Sequence, residues 1–309
     1  MANIFVLGPQ RPDVNLGLAL GKLGDEVKLA VISAGWQEGE GDLEALQEIA
    51  GRSLVELQLY HRAEALMAKD QWLKERYRER QEKLIELQRL YRIRLSRYMQ
   101  AARDLLVDDG NPALLRHEQR EAISQQRALD RHHIRKITAI NAEFSSQLAD
   151  RPSTELDDVR AEINEQLADC GTVLITGGNV AVLLNRLQLF DLGSALANKD
   201  IVAWSAGAMV LTDKIVLFHD NTPEGHRDAE VFNEGLGLIG ESVFLPDAKH
   251  RLKTDDRIGV ALFSRRFAPA SCMALDNGAM LHFKDGGMLE ASGVRRLVRN
   301  GNLRKVSKV

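Results

Sequence analysis

Along the first sixty residues, short β-branched apolar runs alternate with stretches in which apolar residues recur every three or four positions. That alternation is the signature of strands separated by helices. It predicts strands at 4–7, 27–33 and 54–59 with helices at 16–23 and 43–49 between them, an order that implies parallel pairing. From His61 to Val107 the pattern changes. Gly and Pro are absent, and Leu73, Tyr77, Leu84, Leu87, Tyr91, Tyr98 and Leu105 share one 3/4 register, which predicts a single long helix. Arg80 and Arg94 fall in the same register, so the seam is expected to meet a shorter partner helix or a polar site. Gly110 and Pro112 supply a helix stop and a helix start. Ile123, Ile134, Ile137, Phe144 and Leu148 then carry the spacing into a second helix, and residues 61–150 read as an antiparallel helical hairpin.

After Arg151-Pro152-Ser153 the strand–helix alternation resumes, with Ser153 or Thr154 as a cap for a helix at 156–167. Strands are expected at 173–176, 201–204, 215–218, 242–245, 272–275 and 279–283, and helices at 179–187 and 206–211. The domain reading is therefore a discontinuous α/β domain, 1–60 plus 151–309, interrupted by the 61–150 hairpin.

Charge narrows the functional classes. With 41 Lys+Arg against 44 Asp+Glu the net charge is −3, which gives no global electrostatic case for nucleic acid or an anionic membrane. The hairpin is different: its 18 basic and 14 acidic residues leave +4, read as a solvated helical face with an acidic partner as the alternative. Its Tyr and Leu stripe also predicts self-association into a homo-oligomer. Adjacent His132 and His133 point to different sides of a helix and make a poor metal pair. Apolar runs are too short for a membrane span. The start of the chain enters a strand directly without a basic leader, and two cysteines exclude a disulfide framework, so a reducing cytoplasm is the expected compartment. The Gly17 to Lys22 segment is one residue short of a phosphate-binding loop, and dinucleotide, zinc-protease and EF-hand motifs are missing; neither a cofactor nor a metal is expected. The basic stretch from Arg295 to Lys308 reads as a solvated tail.

The strongest chemical signal is Ile201-Val202-Ala203-Trp204-Ser205-Ala206-Gly207-Ala208, an apolar strand running into Ser and then into small residues that open a helix. Such a turn lifts the Ser205 hydroxyl above the sheet edge and aims the Ala206 N–H where an oxyanion would form. Ile175-Thr176-Gly177-Gly178-Asn179 ends another strand in the same way, and Gly178 is a second candidate oxyanion donor. Two such turns on neighbouring parallel strands form a crevice at the carboxyl ends of the sheet. Gln10 and Arg11 after the first strand, and Trp36 and Gln37 after the second, should rim it with Asn179 as substrate contacts.

Gly177-Gly178-Asn179, followed by Trp204-Ser205-Ala206-Gly207-Ala208 and then Leu245-Pro246-Asp247, resembles the dipeptidase E and cyanophycinase family of serine peptidases. The resemblance covers about 1–60 and 151–285 and omits the hairpin. It implies a flavodoxin-like three-layer α/β sandwich of the class I glutamine amidotransferase-like type, with a mostly parallel sheet and Ser in place of the amidotransferase Cys. It also implies Ser205 as nucleophile, Gly178 and Ala206 as oxyanion hole, and Asp220 as the residue that orients the base. The family's His position is occupied here by Asp247. Three readings stay open: His250 reaching back from one turn later as the base, His219 beside Asp220 swinging into the site, or Asp247 serving a different chemistry. The expected function is hydrolysis of a peptide or small amide through an acyl-enzyme. The alternative is a catalytically impaired scaffold whose hairpin binds a protein partner or mediates oligomerisation.

Overall fold

The computed structural model describes residues 2–24, 28–151, 154–219 and 227–306. The chain opens with β1 (Asn3–Leu7), α1 (Leu16–Leu20), β2 (Leu29–Ile32), a 3-10 turn at Ala34–Gly39, α2 (Glu44–Ala50) and β3 (Leu54–Glu56). Helices α3 (Leu59–Lys69), α4 (Gln71–Val107), α5 (Pro112–Asp150) and α6 (Thr154–Ala168) follow. Then come β4 (Thr172–Ile175), α7 (Val180–Leu189), α8 (Gly193–Leu196), β5 (Asp200–Trp204), α9 (Ala206–Val210), β6 (Lys214–His219) and β7 (Arg227–Glu234). The last part holds β8 (Ser242–Pro246), α10 (Ala248–Arg251), α11 (Arg257–Phe267), β9 (Ser271–Leu275), β10 (Met280–Lys284), β11 (Gly287–Ser292), β12 (Arg295–Leu297) and β13 (Leu303–Lys305).

The main sheet has seven strands in the order β11-β10-β1-β5-β4-β2-β3, parallel from β1 to β3 and closed at one side by the antiparallel β10 and β11. Its centre is buried on both faces, and alternate residues feed different layers. Phe5, Leu7, Leu29, Val31, Leu174, Val202 and Trp204 pack with Leu16, Leu20, Leu46 and other residues of α1 and α2. Val6, Ala30, Ile32, Val173, Ile175, Ile201 and Ala203 face the larger cluster on the opposite side. This two-sided burial is the three-layer α/β sandwich of the flavodoxin-like type, and it explains why the central strands read as unbroken apolar runs. A second sheet, β13-β12-β9-β8, and the β6–β7 ribbon complete the strands among the described residues.

The hairpin helices α4 and α5 run antiparallel, with Arg80 beside Asn141, Lys83 beside Glu143, Tyr91 beside Asp130 and Gln126 beside Tyr98. Their buried residues Leu73, Tyr91, Leu95, Met99, Ile123, Leu129 and Phe144 share one apolar cluster with the sheet. Polar ties reinforce the seam. Arg266 of α11 donates to both carboxylate oxygens of Asp130 at 2.7 Å, to the Tyr91 hydroxyl at 2.6 Å and to the Ala229 carbonyl at 2.6 Å. Arg80 is itself buried, over the ring of Phe144 and bonded to Asn141 and Gln188.

The stretch from Arg295 expected to be a solvated tail instead forms β12 and β13 of the second sheet, with Leu297 buried, and other sequence expectations also need correction. The helix expected from residue 61 is two helices, because Asp70 adopts an extended conformation and its carboxylate accepts the Leu73 N–H at 3.0 Å, capping α4. Strand β7 and helix α11 were not anticipated. β7 is polar in sequence, but its buried Glu230 is paired with Arg92 and Gln88 of α4. The strand expected at 27–33 is β2, and its first position lies outside the described residues. Among the described residues, no helix is long and apolar enough to cross a membrane.

Candidate active site

Strand β5 ends at Trp204 and α9 begins at Ala206; Ser205 between them has φ +52° and ψ −117°. A non-glycine residue at positive φ is strained, so the fold holds Ser205 in place against its own backbone preference. Gly207, two residues further, stands where a β-carbon would run into the carbonyls of Ile175 and Thr176. The small residues after the serine are thus required by the close approach of α9 to β4. Ala206 is the first residue of its helix, so its N–H is among those a helix leaves without an internal acceptor.

The neighbouring β4 supplies the other wall. It pairs in parallel with β5, Ile175 opposite Ala203, and passes through Thr176 into Gly177-Gly178. A β-carbon on Gly177 would sit 3.0 Å from the Ser205 β-carbon and 3.5 Å from its hydroxyl oxygen. Gly178 has φ +109° and lies against the backbone of Gly35, whose carbonyl accepts the Asn179 N–H at 2.8 Å. The turns after β2, β4 and β5 therefore converge, bringing together Gly35, Gly177, Gly178, Ser205 and Ala206.

The other expected contacts are placed differently from one another. Trp36 and Gln37 are half-buried in the turn after β2, and Gln37 has φ +59° and ψ −122°, nearly the conformation of Ser205. Asn179 is exposed at the head of α7, where its side-chain oxygen accepts the Ala181 and Val182 N–H groups and caps the helix. Gln10 organises the loop after β1: its oxygen accepts the Asn15 and Leu16 N–H groups while its nitrogen donates to Gly8 and Asn15 oxygens. Arg11 beside it is exposed.

Strand β8 packs against α9 and ends at Pro246. Asp247 follows with φ +57°, its N–H bonded to the Leu275 carbonyl at 2.9 Å, and its carboxylate lies 2.6 Å from Nδ1 of His250. The His250 side chain is 73% exposed. Among the described residues, no histidine is hydrogen-bonded to the Ser205 hydroxyl. His219 closes β6 opposite Arg227, and Asp220 lies outside the described residues.

Sequence reading missed an acidic group at the same edge. Glu56 ends β3, where its carboxylate accepts the Ser33 hydroxyl at 2.8 Å. Burial pushes it up to about 7; the Ser33 bond opposes that and the charge of nearby Glu40 adds to it. Glu40, buried, accepts the N–H groups of Tyr60 and His61. The only sequence trace of Glu56 is an acid closing an apolar strand. Both cysteines are buried, and burial pushes the Cys272 thiol up to about 12, so neither is poised as a nucleophile. Among the described residues, no group of three His, Cys, Asp or Glu side chains could hold a metal ion.

Fold and site define an α/β protein with a serine held at a strand-to-helix turn over the carboxyl edge of a parallel sheet. Residues 153–290, which carry both glycine and serine turns, match the family model of Peptidase family S51. Among solved structures the chain is similar to a peptidase from an acI-B1 Actinobacterium, with a TM-score of 0.48 and 12% identity over 100% of this chain and 95% of that one. No curated protein sequence matches the chain.

Proposed function

We propose that the protein hydrolyses a peptide or related small amide through an acyl-enzyme on Ser205. The observation that carries this reading is the strained backbone of Ser205 at the β5–α9 junction, with Gly177 packed directly against its side chain. In this mechanism the Ser205 oxygen attacks the amide carbonyl carbon and gives up its proton to a base. The carbonyl electrons move onto oxygen, where the Ala206 and Gly178 N–H groups stabilise the charge. The C–N bond then breaks, the amine leaves with the proton, and an ester to Ser205 remains. Water attacks that ester, releasing the carboxylic acid and restoring the serine.

For the base we assign His250, with Asp247 as the group that orients it. The Asp247 carboxylate at Nδ1 favours the tautomer whose Nε2 accepts a proton, the role an acid plays beside the histidine of a serine triad. A site without substrate commonly holds its catalytic hydrogen bonds loosely, and they tighten when substrate binds.

Labelling by a fluorophosphonate, which reacts only with an activated serine, tests the reading. Wild-type protein should label and Ser205→Ala should not. His250→Ala should slow labelling by about 100-fold or more, the usual weight of a general base, with His219→Ala as the comparison. Absence of labelling in folded wild-type protein, or equal labelling of Ser205→Ala, removes the hydrolase reading. Labelling that depends on His219 and not on His250 moves the base to the β6 side.

A further inference from the structure

The C-terminal end of α11 precedes β9, so it lies toward the amino ends of the strands, away from the crevice of Ser205. There α5, α11 and the turn after β12 enclose a groove of about 780 Å³. It is lined by Arg116, Arg120, Arg127 and Arg131 of α5, with Arg265 and Arg299 on the facing side. The four α5 positions repeat at intervals of four, seven and four, which puts them on one helical face over about 22 Å at 1.5 Å per residue.

These arginines differ from others of the molecule. Arg62, Arg92, Arg103, Arg186 and Arg266 each face a carboxylate within 3 Å. Among the described residues, none of the six groove arginines has an Asp or Glu at ion-pair distance. Three are fixed through carbonyls instead. Arg127 donates to Arg265 and Arg266 oxygens, Arg120 to the Arg116 oxygen, and Arg265 to the Arg299 oxygen. Arg120 and Arg265 make those bonds through Nε, so their terminal N–H groups are not consumed by them. Burial, and then the like charges of Arg299 and Arg131, push the Arg127 guanidinium below its usual value. The fold has thus gathered cations that repel one another.

We propose that this groove is a binding site for a linear polyphosphate, a chain of phosphoryl groups laid along α5 between the two walls. Guanidinium groups offer planar pairs of donors and no acceptor, and every cation here is Arg, the side chain suited to bidentate phosphate contact. Phosphoryl oxygens only accept, so such a ligand leaves no polar group unmatched. An acidic peptide brings backbone N–H donors as well, and the groove has few acceptors for them beyond Gln119 and Ser124. Single-stranded nucleic acid brings bases, and no aromatic side chain lines the groove to stack them.

The test is titration of the intact protein with a short linear inorganic polyphosphate, beside a single-stranded RNA oligomer and a polyglutamate of equal charge. Arg116, Arg131 and Arg299 have no carbonyl strut to lose through their side chains. The triple variant Arg116→Gln/Arg131→Gln/Arg299→Gln should bind polyphosphate more weakly by at least about tenfold, since charge-assisted bonds to phosphate are worth more than one factor of ten together. It should also unfold at the same or higher temperature, because like charges are removed. Arg78→Gln/Arg89→Gln on α4 should bind as wild type, and wild-type affinity should fall as salt rises. The proposal is overturned if folded wild type does not bind polyphosphate, if the triple variant binds it equally, or if RNA or polyglutamate binds more tightly.

Discussion

Gly177 and Ser205 face each other across neighbouring parallel strands so closely that a β-carbon on the first would press against the side chain of the second. An alanine at 177 would bring its β-carbon to 3.0 Å from that of Ser205. Because the contact is with the serine side chain and not with a flexible tip, Gly177→Ala should displace the hydroxyl. Fluorophosphonate labelling is expected to drop by at least about tenfold, with a loss of stability of about 1–2 kcal/mol from overpacking. Labelling rate and denaturant midpoint, measured on the same preparation, separate the two effects.

Ser205 carries its own strain. At φ +52° a glycine is relaxed where serine is not, so Ser205→Gly should stabilise the protein by about 1 kcal/mol while abolishing labelling. Urea unfolding of the two proteins checks this. A less stable glycine variant would show that the serine side chain holds the turn together.

Arg266 anchors the hairpin to α11 through Asp130, and both are buried. Removing one partner leaves a buried charge without compensation, so Arg266→Met should cost about 3–5 kcal/mol. The double variant Arg266→Met/Asp130→Leu should recover a substantial part of that loss. Thermal unfolding of the single and double variants reads the difference.

Buried His133 and half-buried Glu56 pull the pH dependence of stability in opposite directions. Burial pushes His133 down to about 4, so between about 6.5 and 4 the unfolded chain takes up a proton that the native state refuses. That group makes stability fall as pH falls through this window. Glu56, held up at about 7, keeps its proton in the native state while the unfolded chain loses it above about 4.5, so its contribution falls as pH rises toward 7. Glu56→Gln should therefore steepen the rise of stability between pH 4.5 and 6.5, and His133→Asn should flatten or invert it. Unfolding free energies across that range test both signs.

Asp70 separates α3 from α4 by accepting the Leu73 N–H. Asp70→Ala should lower stability by about 1 kcal/mol, the usual worth of a helix cap. Asp70→Asn should restore most of it, as equilibrium unfolding would show.

Legibility of the chain in sequence followed how each segment is satisfied. Strands β4 and β5 stood out because both faces are buried and every residue from Val173 to Ile175 and from Ile201 to Trp204 had to be apolar. The glycine and serine turns stood out because crowded backbone admits few residue types there. Strand β7 did not, since Glu230 is acceptable in the core only through Arg92 and Gln88, far away in the chain. The boundary at Asp70 was hidden by an apolar register that runs across it. Glu56 was hidden because a carboxylate's proton affinity depends on burial and neighbours that periodicity does not record.

Local chemistry alone therefore determined the alternation of strands and helices, the hairpin and its turn, the strand-to-helix serine and the paired glycines beside it. These follow from steric limits and from apolar spacing, which act within a few residues. Only the tertiary structure decided that the hairpin shares the sheet's core, that Arg266 of α11 meets Asp130 of α5, and that Arg265 and Arg299 complete the basic face of α5. Each of these rests on hydrogen bonds or charges between segments distant in the chain, and their energies depend on burial and distance, which exist only once the chain has folded.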